Sequence, residues 1–505
     1  MGIHNFYTKK RYHKLKQGGD FVGILTLKNL HKSYKHGNNI TKVLKGINLD
    51  IKEGSFVSIL GRSGSGKTTL LNVISTLEVY DKGNIIIDGK DISKMKQSQI
   101  NNIRNGYIGF VFQEFNLVKD MSVLDNVATP LILNGISFKE ARKKAFIALE
   151  QVGLEQYTKV RPPELSGGQQ QRVAIARAIV NDQKIILCDE PTGALDDYTA
   201  KDILELLKEL SKTKTIIMVT HDEEFAKTYS DRLIMLVDGE VLKDETTNKV
   251  VLERENRVKE LKEKKVGFLN LLIYSFLSMD IDKRKFGKTF RTFSISLTLF
   301  MVVSVINQNL DVFTEKYLRF FVQSEVADKN IVLDFIYQFL EQNISSMIQV
   351  ILFILIGFCI VSYLFVFTIN IINKKREIAV LKAFGASQES IALLFMLRPI
   401  KFTLSIFKDT LGYTFILVLL INGVLDFKSF IVADYLEFFL NIFRVTYGVL
   451  VSFFLNFNSG LILFHIHYSH VFYLFTVVLV LFMLGSLIPA YKISKANTIR
   501  MLAKE

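Results

Sequence analysis

The 505-residue chain contains no tryptophan and only two cysteines, Cys188 and Cys359. One thiol falls in an apolar strand pattern and the other in a long apolar run. That usage excludes a disulfide framework, and no CxxC spacing offers a zinc or redox site. The first 21 residues, MGIHNFYTKKRYHKLKQGGDF, lack the apolar centre of a secretory signal. Position six is Phe rather than the Ser or Thr of a myristoylation site. This stretch reads instead as a basic tail suited to an anionic membrane face. Abundant Lys, Asn, Ile and Phe alongside absent Trp point to an AT-rich coding genome and carry no mechanistic information.

Acidic residues are also in short supply, with 49 Asp and Glu against 63 Lys and Arg, a net charge of +14. Such a balance fits either nucleic-acid binding or the positive-inside bias of a membrane protein. The second reading is favoured because the basic clusters flank apolar runs. Mean hydropathy is +0.26, and the apolar excess lies beyond about residue 290. The pattern suggests a soluble domain joined to a membrane domain.

In the first half, the apolar strand Phe56–Leu60 runs into Gly61-Arg-Ser-Gly-Ser-Gly-Lys67-Thr68 and then a helical pattern. This is G-x-x-x-x-G-K-[ST] in strand–loop–helix context. Glycines at 61, 64 and 66 allow the backbone N–H groups, including those of Ser63 and Ser65, to turn inward around phosphates. Lys67 supplies a point charge to the β- and γ-phosphates, and Thr68 a hydroxyl for Mg²⁺. The helix that continues through Thr69 aims its positive end at the anion. A second apolar strand, KIILCDEP, ends in Asp189 and Glu190. Asp189 is the metal-side candidate and Glu190 the general base.

Between them, residues 165–178 read LSGGQQQRVAIARA. Leu165-Ser166-Gly167-Gly168-Gln169 resembles the signature of the ABC-transporter ATPases. In that family the signature caps the γ-phosphate of a nucleotide held by the opposite subunit, so the resemblance implies a homodimer with two shared ATP sites. Other family landmarks stand in register. Gln113 resembles the Q-loop glutamine, which senses Mg²⁺ and faces the membrane domain. Asp196 in GALD resembles the D-loop. His221 resembles the switch histidine, and Tyr34 the aromatic that stacks on adenine. The resemblance runs over about residues 25–245.

The second half offers apolar runs at 292–310, 348–372, about 402–425 and 471–490. Basic clusters precede the first run and follow the second and fourth, which puts both ends and the 374–398 segment in the cytoplasm. Four crossings is the simplest count. Residues 445–491 carry no Asp, Glu, Lys or Arg, and six crossings is the alternative. Lys408 and Asp409 interrupt the start of the third run, where they can snorkel or pair.

The stretch NKKREIAVLKAFGAS, 373–387, resembles the signature of FtsX-type permeases, and IPAYKISKANTIRMLAKE resembles their C-terminal pattern. An N-terminal ABC ATPase fused to such a permease resembles the MacB-like exporters. That family's tripartite members carry a large extracytoplasmic domain between helices one and two. Here the corresponding stretch is about 40 residues, which argues against an outer-membrane adaptor and against a macrolide substrate.

The expected fold is therefore an α/β P-loop ABC ATPase domain followed by an all-α transmembrane domain. The boundaries expected are a basic tail at 1–24, the ATPase at 25–247, a charged helical connector at 248–290 and the permease at 291–505. The expected cofactors are ATP and Mg²⁺, with Thr68, Gln113 and Asp189 toward the metal. The expected activity is ATP hydrolysis coupled to export or extraction of an amphipathic substrate across the plasma membrane. The alternative is ATP-driven signalling to an extracytoplasmic hydrolase or sensor.

Within 374–398, Lys374, Lys375 and Arg376 are expected to hold the membrane-surface end of the second apolar run. Ile378, Leu381 and Phe384 share one helical face, expected to dock on the ATPase near Gln113 before Gly385 ends the helix.

Overall fold

A computed structural model describes residues 23–246, 267–277, 294–304 and 374–425, with scattered positions at 343–368 and 476–491. It divides into two units. The first holds residues up to Ser278 together with Lys374–Leu394 and Ile493–Glu505; the second holds Met279–Asn373 and Phe395–Lys492.

In the first unit, strands β1 (Leu25–His36) and β2 (Asn39–Ile51) open the chain. β3 (Phe56–Leu60) follows and feeds helix α1 (Lys67–Ile74). β4 (Lys82–Ile87), β5 (Lys90–Asp91), α2 (Gln97–Tyr107) and β6 (Ile108–Val111) come next. Then come three helices, α3 (Val123–Leu133), α4 (Phe138–Gln151) and α5 (Gly167–Ile179). β7 (Ile185–Asp189), α6 (Asp197–Ser211), β8 (Thr215–Thr220), α7 (Glu223–Tyr229), β9 (Arg232–Val237) and β10 (Glu240–Thr246) complete the α/β part.

β2-β1-β4-β5 form an antiparallel sheet, and β10-β9-β3-β8-β7-β6 a second, mixed sheet. Within the second, β9, β3, β8, β7 and β6 run parallel and only β10 is antiparallel. A parallel sheet must be covered on both faces, and its strands show how. Val57 and Ile59, Ile185 and Leu187, and Ile217 and Val219 face one core with β1, β2, β4 and α1. Phe56, Ile186 and Cys188, and Ile216 and Met218 face another, with α3, α4, α5 and α6. This strict alternation is the period of two expected of a strand. At Cys188, burial pushes the thiol well above its ordinary range, so it behaves as a small apolar residue.

Helix starts follow local chemistry. Ser122, Ser137, Ser166, Asp196 and Asp222 each accept a hydrogen bond from a backbone N–H of the first turn.

α8 (Phe268–Leu277) lies within the expected connector, yet it packs on the ATPase part. The Asn270 side chain donates to the Ile136 carbonyl at 3.0 Å, and Leu271 and Tyr274 are buried. The charged stretch 253–265 lies outside the described residues. α9 (Lys375–Ala383) and the start of α10 (Gln388–Leu425) also belong to the first unit.

In the second unit, helical residues 294–304 pack along α10. Ser294 Oγ lies 3.4 Å from Thr410 Oγ1, and the Thr414 hydroxyl donates to Met301 Sδ at 3.6 Å. Lys408 and Asp409 are exposed on α10. Among the described residues no helix is long and apolar enough to cross a membrane. The runs at 348–372 and 471–490 lie largely outside those residues, as do Cys359 and all of 445–470.

Candidate nucleotide site and docking segment

Four of the expected functional positions sit where parallel strands end. The loop 61–66 leaves β3, Gln113 follows β6, Asp189 and Glu190 close β7, and His221 follows β8. Ligands of open α/β sheets bind at carboxyl strand ends.

The loop requires its glycines. A Cβ on Gly61 would lie 2.4 Å from the Leu236 carbonyl oxygen and 2.5 Å from Ser65 Oγ. Gly66 caps α1 at a φ of 98°, a conformation that disfavours side chains. Lys67 is buried and folds back, donating to the carbonyls of Gly61 at 2.7 Å and Arg62 at 3.1 Å. Ser65 Oγ is buried with no partner among the described residues. An orphan hydroxyl and an ammonium parked on loop carbonyls make a cradle that fits a polyphosphate.

Beside it, the Thr68 hydroxyl donates to Asp189 Oδ1 at 3.1 Å. Burial pushes the Asp189 carboxyl up to about 6, and the Glu190 charge adds to the rise; the Thr68 bond and Lys67 oppose it. One hydroxyl and one carboxylate fit Mg²⁺, which typically takes one or two carboxylates and completes its shell with phosphate and water.

Glu190 is the centre of a second cluster. Its Oε2 accepts from Gln113 Nε2 at 3.1 Å, and its Oε1 lies 3.3 Å from His221 Nδ1. The backbone at Glu190 has a φ of 44°, rare for a side-chain-bearing residue. A cavity of about 140 Å³ opens here between Glu190, Gly193, Thr220 and His221. The structure thus joins Gln113 to Glu190 and His221, and Thr68 to Asp189. No described contact links Gln113 to Thr68 or Asp189.

Tyr34 lies half-buried on β1, where burial raises its hydroxyl above the ordinary phenol range.

The signature lies apart. Ser166 Oγ accepts from the Gln169 N–H at 3.3 Å, while Gln169 Oε1 accepts from the Ser166 N–H at 3.0 Å, a reciprocal cap on α5. A Cβ on Gly168 would lie 2.3 Å from Thr199 Cγ2, so α6 packs directly on the signature turn. Asp196 caps α6, accepting from Thr199 N at 3.0 Å and Thr199 Oγ1 at 2.8 Å. Among the described residues the signature turn is bordered by α6, Leu195 and Phe115.

The segment 374–386 is embedded in the same unit. Lys374 pairs with Asp120 and Arg376 with Glu114, the residue after Gln113. Ile378 and Leu381 are fully buried, and Ala383 joins the core that contains β3 and α1. Arg104 Nη1 donates to the Lys382 carbonyl at 3.0 Å, and its Nε to Thr76 Oγ1 at 2.9 Å. Arg177 donates to the carbonyls of Phe115 and Asn116, both at 2.7 Å, and its guanidinium lies 4.9 Å from the Phe384 ring. Gly385 turns at a φ of 77°, and any Cβ there would strike the Asn105 side chain. Burial lowers Arg104 to about 10 and Arg177 to about 9.

The sequence flagged the apolar face of this segment but not Arg104, Asp120 or Arg177. Their only signal was charge within otherwise apolar or loop stretches.

Comparison with known proteins bears on the same residues. The ABC transporter family profile matches residues 44–193, and the profile of the FtsX-like permease C-terminal region matches 349–498. The chain is 49% identical over 223 residues to the ABC transporter ATP-binding protein YvrO of Bacillus subtilis, across 44% of this chain and 97% of that one. It belongs to the ABC transporters. The ATP-binding protein MJ0796 of Methanocaldococcus jannaschii is 47% identical over 228 residues, 44% of this chain and 97% of the relative. The macrolide export ATP-binding/permease protein MacB of Campylobacter fetus is 43% identical over 240 residues, 47% of this chain but 37% of MacB. Among solved structures, a dimeric post-hydrolysis state of the MJ0796 cassette bound to ADP and Pi is similar. It is 45% identical, with a TM-score of 0.42 over 45% of this chain and 100% of that one.

The first unit of this ABC transporter is accordingly an α/β ABC ATPase that binds and hydrolyses ATP. An FtsX-like permease region follows it.

Proposed function

We propose that this ABC transporter is a homodimeric, multi-pass plasma-membrane exporter. It couples ATP hydrolysis in the cytoplasm to export or extraction of an amphipathic molecule such as a peptide, lipopeptide or hydrophobic antibiotic. The observation that carries the reading is the insertion of 374–386 into the ATPase fold, with Arg376 on the neighbour of Gln113. A segment flanked by permease sequence and buried beside the catalytic loop can pass movement between them.

Residue roles follow from position. Gly61, Ser63, Gly64, Ser65, Gly66, Lys67, Thr68 and Thr69 hold the phosphates, and Tyr34 stacks on the base. Thr68, Asp189 and Gln113 would hold Mg²⁺, which when bound neutralises charge on the β- and γ-phosphates. Glu190 takes a proton from the attacking water. His221, within 3.3 Å of Glu190, orients that carboxylate and donates toward the γ-phosphate. To hold Mg²⁺, Gln113 would give up its bond to Glu190, which would shift the neighbour of Glu114, the partner of Arg376.

Ser166, Gly167, Gly168 and Gln169 form a helix start placed to cap a nucleotide across a two-fold axis, with Asp196 at the seam. One chain then contributes half of each site. A monomer in lipid that retains cooperative hydrolysis sinks this dimer.

The name MacB supports export, and the match to 37% of MacB leaves the cargo to experiment. The test of coupling is the double variant Leu381→Asp with Phe384→Asp in lipid nanodiscs. ATP binding should persist, while stimulation of hydrolysis by a panel of peptides and antibiotics should vanish. Stimulation retained by the double variant removes the coupling role.

A further inference from the structure

Lys32 occupies an unusual place for a lysine. It lies on β1, two residues before Tyr34, so both side chains leave the same face of the strand. Its side chain is buried, as is that of Glu78. Lys32 Nζ donates to Glu78 Oε1 at 2.9 Å and to the Val79 carbonyl at 2.6 Å. The same ammonium lies 4.8 Å from the centre of the Tyr34 ring.

Glu78 in turn is fastened to the phosphate-binding helix. The N–H groups of Leu77 and Glu78 both donate to the carbonyl of Asn72 in α1, at 2.9 and 3.1 Å. Two further bonds close the frame, from Asp81 N to the His31 carbonyl at 2.9 Å and from Ser33 N to Asp81 Oδ2 at 2.6 Å.

A buried lysine–glutamate pair is not explained by stability alone, because desolvating two charges offsets most of their attraction. It does fix geometry. Here it ties the strand bearing Tyr34 to the C-terminal end of α1, whose N-terminus is the phosphate cradle. Through the ammonium against its face, the ring is tied to the helix that carries the phosphate loop. The cation beneath one face also withdraws density from the ring, which favours stacking of an electron-rich purine on the other face.

We propose that Lys32, locked by Glu78, is a positioning residue for the base platform: it sets Tyr34 against the phosphate-binding helix and primes its ring for a purine. This inference rests on the reading that Tyr34 stacks on the base.

The test uses the full chain in lipid nanodiscs and two probes: ATP, and inorganic tripolyphosphate as a competitive inhibitor that has phosphates but no base. Lys32→Met should raise KM for ATP by about five- to tenfold, with kcat within about twofold of the parent. The inhibition constant of tripolyphosphate should not move. Lys32→Arg should restore most of the affinity for ATP. If Lys32→Met fails to fold, Glu78→Gln, which keeps the shape and frees the ammonium, should shift KM in the same direction by less.

Equal losses for ATP and tripolyphosphate mean that Lys32 merely supports the fold around the cradle, and the proposal falls. An unchanged KM for ATP also overturns it. Tyr34→Ala separates the two readings. If it does not raise KM for ATP, base stacking by Tyr34 is wrong. If it does while Lys32→Met has no effect, stacking stands and only the role of Lys32 is lost.

Discussion

The nucleotide cluster and the docking segment belong to one unit, yet they are built in opposite ways. At the nucleotide cluster the key side chains hold one another by single contacts of 3.1 to 3.3 Å: Thr68 to Asp189, Gln113 to Glu190, His221 to Glu190. Most are accessible, and the backbone at Glu190 is strained. At the docking segment two arginines are sealed beneath the surface, each serving several carbonyl oxygens. The first region is built to exchange partners when a ligand arrives. The second keeps its partners, so that displacement of one neighbour moves the others. Arg177 stands between them, because it begins on the signature helix, holds the backbone just after Gln113 and rests against Phe384.

Substitutions that respect this contrast should separate chemistry from transmission. The largest effect belongs to Glu190→Gln. It keeps shape and hydrogen bonding but cannot take a proton, so kcat should fall about 10²-fold or more. The ATP-bound dimer should then accumulate, read by size-exclusion chromatography of the full chain in detergent. Normal hydrolysis by this variant would remove Glu190 from its role. Lys67→Ala should act before chemistry, weakening ATP binding about tenfold or more through the lost phosphate contact. Calorimetric titration with ATP reads that difference.

Arg177→Met probes the second region. It leaves the part-buried carbonyls of Phe115 and Asn116 without their donor. Those two residues have φ of 53° and 49°, conformations that side-chain-bearing residues hold only when neighbours fix them. The expected loss is about 2–4 kcal/mol of stability, seen as a lower thermal midpoint for the ATPase unit. A midpoint within a degree of the parent would show that the Q-loop backbone is held by something else.

The contrast also explains what the chain announces about itself. Phosphate, metal and proton transfer need particular residue types at fixed spacings, so 61–68, 166–169 and 189–190 are legible as strings, and with them the α/β fold. Docking needs only apolar area and matching charge, which many sequences supply. The face Ile378, Leu381 and Phe384 shows as a helical period, but its receiving surface comes from α2, the loop after β6 and α5. Arg104 lies 278 residues from Lys382 in the chain, and no local pattern marks such a pair. α8 is equally quiet: ten mostly apolar residues after a charged stretch read as connector, whereas Asn270 fastens it to the Ile136 carbonyl between α3 and α4, and Leu271 and Tyr274 are buried. Lys32 and Glu78 are 46 residues apart, and no local pattern marks that pair either.

The smallest expected effect sharpens the comparison through pH. Lys382 sits on the docked segment with its carbonyl held by Arg104. Burial, reinforced by the positive charge of Arg104, lowers its ammonium to about 8 from 10.5. Docking therefore disfavours the charged form. Below pH 8 the side chain is protonated whether the segment is docked or free, and docking bears the full cost. As pH rises from about 8 toward 10.5, the docked lysine releases its proton first, so docking strengthens across that window and then levels. Lys382 is only about half buried, so solvent screens much of this cost and the gain is modest. Hydrogen exchange of 375–386, corrected for the intrinsic rate, should show greater protection at pH 9.5 than at pH 7.5. Lys382→Met should be protected at both, with no increment between them. An increment that survives Lys382→Met would assign the pH response to another group and leave this lysine a passive part of the docked face.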